Sequence, residues 1–87
     1  MIALMVYDVQ EKRCVSALKI ARRYLTRVQN SVFEGELTPG NLSALKKELK
    51  TVLDLSYDSV LIYTWRDGKY TSRETLGVSF AEPERFV

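Results

Sequence analysis

Residues 2–8 read Ile-Ala-Leu-Met-Val-Tyr-Asp, an unbroken apolar run that stops at an aspartate. A short run of this kind, rich in β-branched and aromatic side chains, is typical of a strand buried on both faces. We therefore predict a central strand over Ile2–Tyr7. Because strands disfavour aspartate, we expect the strand to stop at Asp8, where the backbone leaves the sheet.

Two amphipathic segments follow at helical spacing. The first runs from Glu11 to about Leu25, and its basic side chains lie mostly off the apolar stripe. That stripe comprises Cys14, Leu18, Ala21 and Leu25, widened by Val15 and Ala17. The place of Cys14 on it indicates a small buried hydrophobe and not a nucleophile. The second helix begins at Thr38-Pro39, because threonine caps free amides and proline suits the first helical position.

The remaining segments are predicted strands. Val28–Leu37 (VQNSVFEGEL) is either one bent strand or a strand pair broken at Gly35. Ser59–Trp65 is the next strand, and the Asp67-Gly68 turn returns the chain to about Leu76. The order predicts an α+β domain with two helices on one face of a small antiparallel sheet, of which the ferredoxin-like arrangement is the commonest form.

Composition narrows the chemistry. The 87 residues allow one domain over 1–87, and they include no histidine and one cysteine. These counts exclude His-based acid/base catalysis, Ser/His and Cys/His nucleophile pairs, His-ligated zinc and an internal disulfide. The apolar run from Met1 to Tyr7 is too short for a membrane span or a signal-peptide core, so we expect a cytoplasmic protein. Its chemistry, if any, would come from carboxylates, hydroxyls or a hard metal ion.

The net charge of +2 is unevenly distributed. Residues 1–27 carry a charge of +4, whereas residues 28–87 carry −2. This bias indicates either a surface that meets an anion such as nucleic acid or a merely solvated helix face. The basic residues concerned are Lys12, Arg13, Lys19, Arg22, Arg23 and Arg27.

Asp8 is the leading candidate for chemistry. Its carboxylate at a strand end is either a cap for the following helix or a ligand for a cation. One aspartate is a poor Mg²⁺ site, because that ion prefers octahedral oxygen ligation with one or two carboxylates. A twofold dimer would bring Asp8 from both chains to one axis and supply two carboxylates.

Other side chains are candidates for contact with phosphate or bases. Arg13 and Arg27 carry guanidinium groups that match phosphate geometry, although surface arginines are often only solvated. Ser31 and Phe33 lie two residues apart, so in one strand they would share a face. A hydroxyl beside an aromatic ring could bind phosphate and stack a base, but half-buried sheet is the simpler interpretation.

Three stretches together resemble a known family. They are the apolar strand ending in Met5-Val-Tyr-Asp-Val9, the run RVQNSVFEGEL over residues 27–37, and Asp58-Ser-Val-Leu-Ile-Tyr63. In this order and spacing they resemble the CRISPR-associated endonuclease family Cas2.

The resemblance implies a ferredoxin-like homodimer and metal-dependent phosphodiester cleavage of RNA or DNA. It implies Mg²⁺ (or Mn²⁺) at Asp8 from both subunits, with Arg27, Ser31 and Phe33 matching the family's strand-two residues. Arg13 is the nearest fit to the family's basic residue after the aspartate.

The partners that the resemblance implies are a second copy, the CRISPR integrase subunit, and RNA or duplex DNA. Residues 78–87, which contain Phe80 and Phe86, are expected to dock on the partner subunit, the alternative being a frayed terminus. Two functions stay open at this point: a metal-dependent endonuclease, and a non-catalytic scaffold that bridges integrase subunits.

Overall fold

The computed structural model describes residues 1–78, which form one sheet and two helices. The sheet has five strands in the order β2-β3-β1-β4-β5, and every neighbouring pair is antiparallel. This confirms the ferredoxin-like α+β prediction, with β5 added beside β4. The elements are β1 (Ile2–Asp8), α1 (Glu11–Ala21), β2 (Thr26–Gln29), β3 (Val32–Glu36), α2 (Pro39–Val52), β4 (Ser59–Arg66) and β5 (Lys69–Gly77).

The core lies between the helices and one face of the sheet. Along β1, Ala3, Met5 and Tyr7 are buried, whereas the alternate residues are half-buried or exposed. The prediction that this strand is buried on both faces was therefore wrong. Both helices pack on the same side, so among residues 1–78 no helix covers the other face. That second face is called the open face below.

Helix α1 is shorter than predicted. It ends at Ala21 and not near Leu25, because residues 22–25 form hydrogen-bonded turns that bring the Leu25 side chain into the core. The buried residues of the helix are Ala17, Ile20 and Ala21. The predicted stripe was therefore rotated: Cys14 is half-buried, and Val15 is 61% exposed.

The predicted strand over 28–37 is a hairpin whose break lies at Asn30-Ser31 and not at Gly35. Ser31 takes a positive φ of 67°, which permits the tight turn between β2 and β3. Ser31 and Phe33 therefore do not share a strand face, contrary to prediction. Gly35 lies inside β3, where a β-carbon would come within 3.2 Å of the Leu25 side chain.

The other local predictions are confirmed. Thr38 caps α2 by accepting a hydrogen bond from the Asn41 amide, with Pro39 in the first turn. Asp67 and Gly68 form the β4–β5 turn with φ values of 54° and 75°. Except for Val78, the predicted docking segment 78–87 lies outside the described residues. No helix within residues 1–78 is long and apolar enough to cross a membrane.

Candidate functional site

Asp8 is exposed at the end of β1, on the open face. It continues the alternation of Ile2, Leu4 and Val6, and it lies opposite Ser59 of β4. It does not cap α1, whose N-cap is Gln10 without a side-chain cap bond. Within residues 1–78, no side-chain hydrogen bond or ion pair engages the Asp8 carboxylate. Within the part of the chain that the structure describes, its oxygens are therefore accessible to a ligand.

The β2–β3 turn lies directly beside Asp8. The Tyr7 amide donates a hydrogen bond of 3.0 Å to the backbone oxygen of Ser31. The positive φ of Ser31 costs on the order of 1 kcal/mol, and such strained residues are concentrated at functional sites. The hairpin thus brings the half-buried Ser31 next to the residue that precedes Asp8.

Asp58 holds the other side of the site. This residue is fully buried, and its carboxylate accepts four hydrogen bonds. The guanidinium of Arg13 donates two of them, at 2.6 and 2.9 Å. The amides of Gln10 and Asp54 donate the others, at 3.1 and 2.8 Å. We call these four residues the Asp58 clamp.

The clamp fixes the chain on both sides of Asp8. Gln10 belongs to the loop that leaves Asp8, and Asp58 directly precedes Ser59, the β4 partner of Asp8. The hydrogen bonds from Arg13 hold the pKa of Asp58 well below its usual range, against the opposing effect of burial. The same hydrogen bond to Asp58 raises the pKa of Arg13, so both groups stay charged. No role was predicted for Asp58 from the sequence, although an acidic residue directly before an apolar strand was the available signal.

The predicted site residues occupy different positions. The guanidinium of Arg13 is held by Asp58 and is 16% exposed. Arg27 is exposed on β2, and its Nη2 donates a 2.9 Å hydrogen bond to Oδ1 of Asn30 in the turn. Phe33 is fully buried and packs against Tyr7 with ring centroids 5.9 Å apart. Ser31 therefore lies in the turn that is hydrogen-bonded to the residue before Asp8, Arg27 contacts the same turn from the edge strand, and Phe33 lies in the core.

The basic residues of α1 and of the turn that follows it divide into two groups. Arg13 is paired with Asp58, and Arg23 forms an ion pair with Glu48, which also accepts a hydrogen bond from the Tyr24 hydroxyl. Lys12, Lys19 and Arg22 are exposed at positions that recur at helical spacing, and none of the ion pairs within residues 1–78 includes them. They leave a positively charged helix face in solvent.

The centre of the open face, where β1 and β4 meet, is apolar, whereas β3 and β5 add Glu34, Glu36 and Arg73 on either side. Three cross-strand pairs connect β1 with β4 on it: Ile2 with Trp65, Leu4 with Tyr63, and Val6 with Leu61. These side chains are half-buried except for Ile2, which is 49% exposed. The rings of Tyr63 and Trp65 stack with centroids 6.3 Å apart. An apolar surface of this kind, ending at Asp8, is typical of a protein interface.

One chain alone is a weak metal site. Within residues 1–78, no group of three or more His, Cys, Asp or Glu side chains is positioned to hold a metal ion. The oxygen donors of an exposed carboxylate nevertheless suit a hard divalent ion. Two copies of Asp8 would supply the one or two carboxylates that Mg²⁺ usually takes, with water completing the shell.

The comparisons with known proteins agree with one another. The family model described as CRISPR associated protein Cas2 matches residues 1–73. The CRISPR-associated endoribonuclease Cas2 of Thermotoga maritima is 51% identical over 82 residues, which cover 94% of each chain. The protein of the same name from Dictyoglomus turgidum is 39% identical over 87 residues, the full length of both. The crystal structure of Streptococcus pyogenes Cas2 at pH 6.5 has a TM-score of 0.69 at 35% identity, covering 76% of this chain and 87% of that one.

Proposed function

The chain belongs to the CRISPR-associated Cas2 family, and we propose that it is a metal-dependent endonuclease that hydrolyses phosphodiester bonds of RNA or DNA during CRISPR spacer acquisition. The observation that carries the proposal is the exposed Asp8 carboxylate at the end of the apolar open face. The relatives named above as endoribonucleases support the same activity.

We propose that the active form is a homodimer. The apolar pairs of the open face need a cover, and within residues 1–78 no element provides one. A twofold axis near Asp8 would cover this surface with a second copy and give the site its second carboxylate. Dimerisation would therefore bury the apolar side chains of the open face and also supply the second carboxylate of the metal site.

The exposure and the hydrogen bonds of the site residues support the following division of roles. The two Asp8 carboxylates would hold Mg²⁺ or Mn²⁺, and such an ion supplies Lewis-acid activation of water and neutralises phosphate charge when bound. The exposed guanidinium of Arg27 would bind phosphate oxygens, and the Ser31 hydroxyl would donate a hydrogen bond to the same group. Arg13 would orient the loop after Asp8 through Asp58, a role that its pairing favours over direct phosphate contact. Phe33 would support the hairpin from the core.

The test replaces Asp8 by asparagine and measures cleavage of end-labelled RNA and duplex DNA with Mg²⁺. Asn keeps the shape of the side chain but removes the charge that a cation needs, so cleavage should be lost. Asp67→Asn is the matched control, because Asp67 is another exposed aspartate at the far end of β4. Cleavage that survives in the Asp8 variant would contradict the proposal.

The exposed basic face of α1 favours a second candidate, a non-catalytic dimer that binds duplex DNA and bridges CRISPR integrase subunits. Phosphate contacts of Lys12, Lys19 and Arg22 would bind a duplex without sequence preference. The salt dependence of duplex affinity tests this role. If Lys19→Ala/Arg22→Ala lowers the slope by about 1–2, the helix face is part of the binding surface; an unchanged slope removes it.

A further inference from the structure

The structure leaves one aromatic ring exposed at the same end of the sheet as Asp8. Tyr57 is 65% exposed in the turn between α2 and β4. It precedes Ser59, the β4 partner of Asp8, by two positions, and its neighbour Asp58 accepts a hydrogen bond from the Gln10 amide. Among residues 1–78, no other aromatic ring packs against it. An exposed tyrosine of this kind leaves a large apolar surface in water at the candidate site.

The turn that carries Tyr57 is held firmly. Asp54 accepts hydrogen bonds from the amide and the hydroxyl of Ser56, at 3.0 and 2.5 Å. The amides of Tyr57 and Asp58 both donate to the backbone oxygen of Asp54, at 3.0 and 2.7 Å. The Asp58 carboxylate in turn accepts a hydrogen bond from the amide of Asp54. The backbone beneath the ring is thus ordered before any ligand arrives, which lowers the entropic cost of binding.

Phe33 does not serve this purpose in the present fold. The sequence made Phe33 a candidate for base stacking, but its ring is fully buried between the sheet and the helices. Tyr57 has the exposed face that stacking requires, and Lys12, exposed in the first turn of α1, supplies a positive charge on the other side of the clamp. Proteins commonly bind single-stranded nucleic acids through aromatic rings combined with positively charged side chains.

We propose that Tyr57 is a stacking platform for an unpaired base of single-stranded RNA or DNA next to Asp8. The inference rests on the proposed nucleic-acid function and adds to it a preference for single strands. Bases in a duplex are already stacked on one another, so the ring gains nothing from paired strands. The site would therefore favour single-stranded segments or frayed ends over intact duplex.

The test is a binding measurement with the metal chelated, so that no cleavage takes place. Fluorescence anisotropy compares a labelled single-stranded oligoadenylate, the same strand with one internal abasic position, and a duplex of equal length. Tyr57→Ala should weaken binding of the single strand by roughly 5- to 150-fold, the range of one lost stacking contact. Tyr57→Phe should bind like the unchanged chain, and duplex affinity should hardly change.

Two controls separate stacking from folding. Leu55→Ala trims another exposed apolar side chain of the same turn (44% exposed), and Val15→Ala trims an exposed apolar side chain of α1 (61% exposed). Both should keep single-strand affinity, and all variants should keep the mass of the unchanged protein in solution. A Tyr57→Ala protein that changes in mass would instead assign the ring to a protein contact and overturn the proposal.

The outcomes for this inference and for the nuclease differ. Single-strand binding that depends on Tyr57 in a protein without Asp8-dependent cleavage would support the platform and refute the nuclease. If cleavage depends on Asp8 but Tyr57→Ala leaves single-strand affinity unchanged, the nuclease is supported and the platform is refuted. Equal losses on single strand and duplex would also overturn the platform, since stacking acts on unpaired bases.

Discussion

Removal of the Asp58 carboxylate should destabilise the fold more than any change at Asp8. Asp58 is fully buried, and the side chain accepts hydrogen bonds from Arg13, Gln10 and Asp54. Breaking a buried ion pair by removing one partner typically costs 3–5 kcal/mol. Water can reach the partly exposed guanidinium of Arg13, so we expect about 3 kcal/mol for Asp58→Ala, at the low end of that range.

The assay is urea unfolding of Asp58→Ala followed by far-ultraviolet circular dichroism. A loss of about 3 kcal/mol is a large part of the stability of a domain of this size, and it would lower the melting temperature by on the order of 15 °C. Asp67→Asn, the exposed counterpart, should stay within about 0.5 kcal/mol of the unchanged chain. Equal stabilities for Asp58→Ala and Asp67→Asn would refute the clamp.

The acid dependence of stability gives an independent check. The pKa of Asp58 is lowered in the folded state, mainly by the hydrogen bonds from Arg13, whereas the pKa of an aspartate in the unfolded chain is about 3.9. At acidic pH the unfolded chain therefore binds more protons, and the stabilisation is complete above about pH 5 and declines as the pH falls. The difference in unfolding free energy between the unchanged chain and Asp58→Asn should shrink between about pH 5 and pH 3. A constant difference would show that the charge of the carboxylate is not responsible.

Three further predictions concern the backbone and the dimer. Gly77→Ala should destabilise the chain far more than Gly68→Ala. Both glycines have a positive φ, but only at Gly77 would a β-carbon lie 2.0 Å from the Asp58 backbone oxygen. Equal unfolding free energies for the two variants would contradict this prediction. Ser31→Gly should raise the melting temperature, because glycine adopts a positive φ without strain, and it should lower the cleavage rate, because the hydroxyl is lost. Ser31→Ala should lower the cleavage rate in the same way without raising the melting temperature. Deletion of residues 79–87 should lower the mass in solution measured by light scattering, and a stable native-size dimer would count against the docking role of that segment.

The fold was largely predictable because its determinants are local. The apolar run before Asp8, the Thr38-Pro39 helix start and the Asp67-Gly68 turn each constrain a short segment through its own residues. The errors arose where tertiary packing decides. Whether both faces of β1 are buried depends on where the helices pack, and the end of α1 depends on the need of Leu25 for the core.

The hairpin between β2 and β3 shows another limit of sequence patterns. Gly35 looked like the break because glycine often marks a bend, yet its missing side chain makes room for Leu25 instead. Ser31 takes the left-handed conformation although it is not a glycine, and its backbone oxygen accepts a hydrogen bond from Tyr7. A strained residue that its surroundings stabilise cannot be recognised from the local sequence alone, so only the strand pairing shows where the turn lies.

The two aspartates beside Ser59 show why residue type and position did not suffice to assign roles. Asp8 and Asp58 lie at the same end of neighbouring strands, but the sequence offered the alternatives of a cap and a cation ligand for Asp8 alone. Four donors satisfy Asp58, and a carboxylate so engaged has little capacity left for a cation. Asp8 projects from the open face, and no side-chain bond within residues 1–78 engages it, so any partner must come from outside those residues. The buried carboxylate thus orders the loop through its four hydrogen bonds, whereas the Asp8 oxygens have no side-chain partner within residues 1–78, which is what the proposed metal site requires.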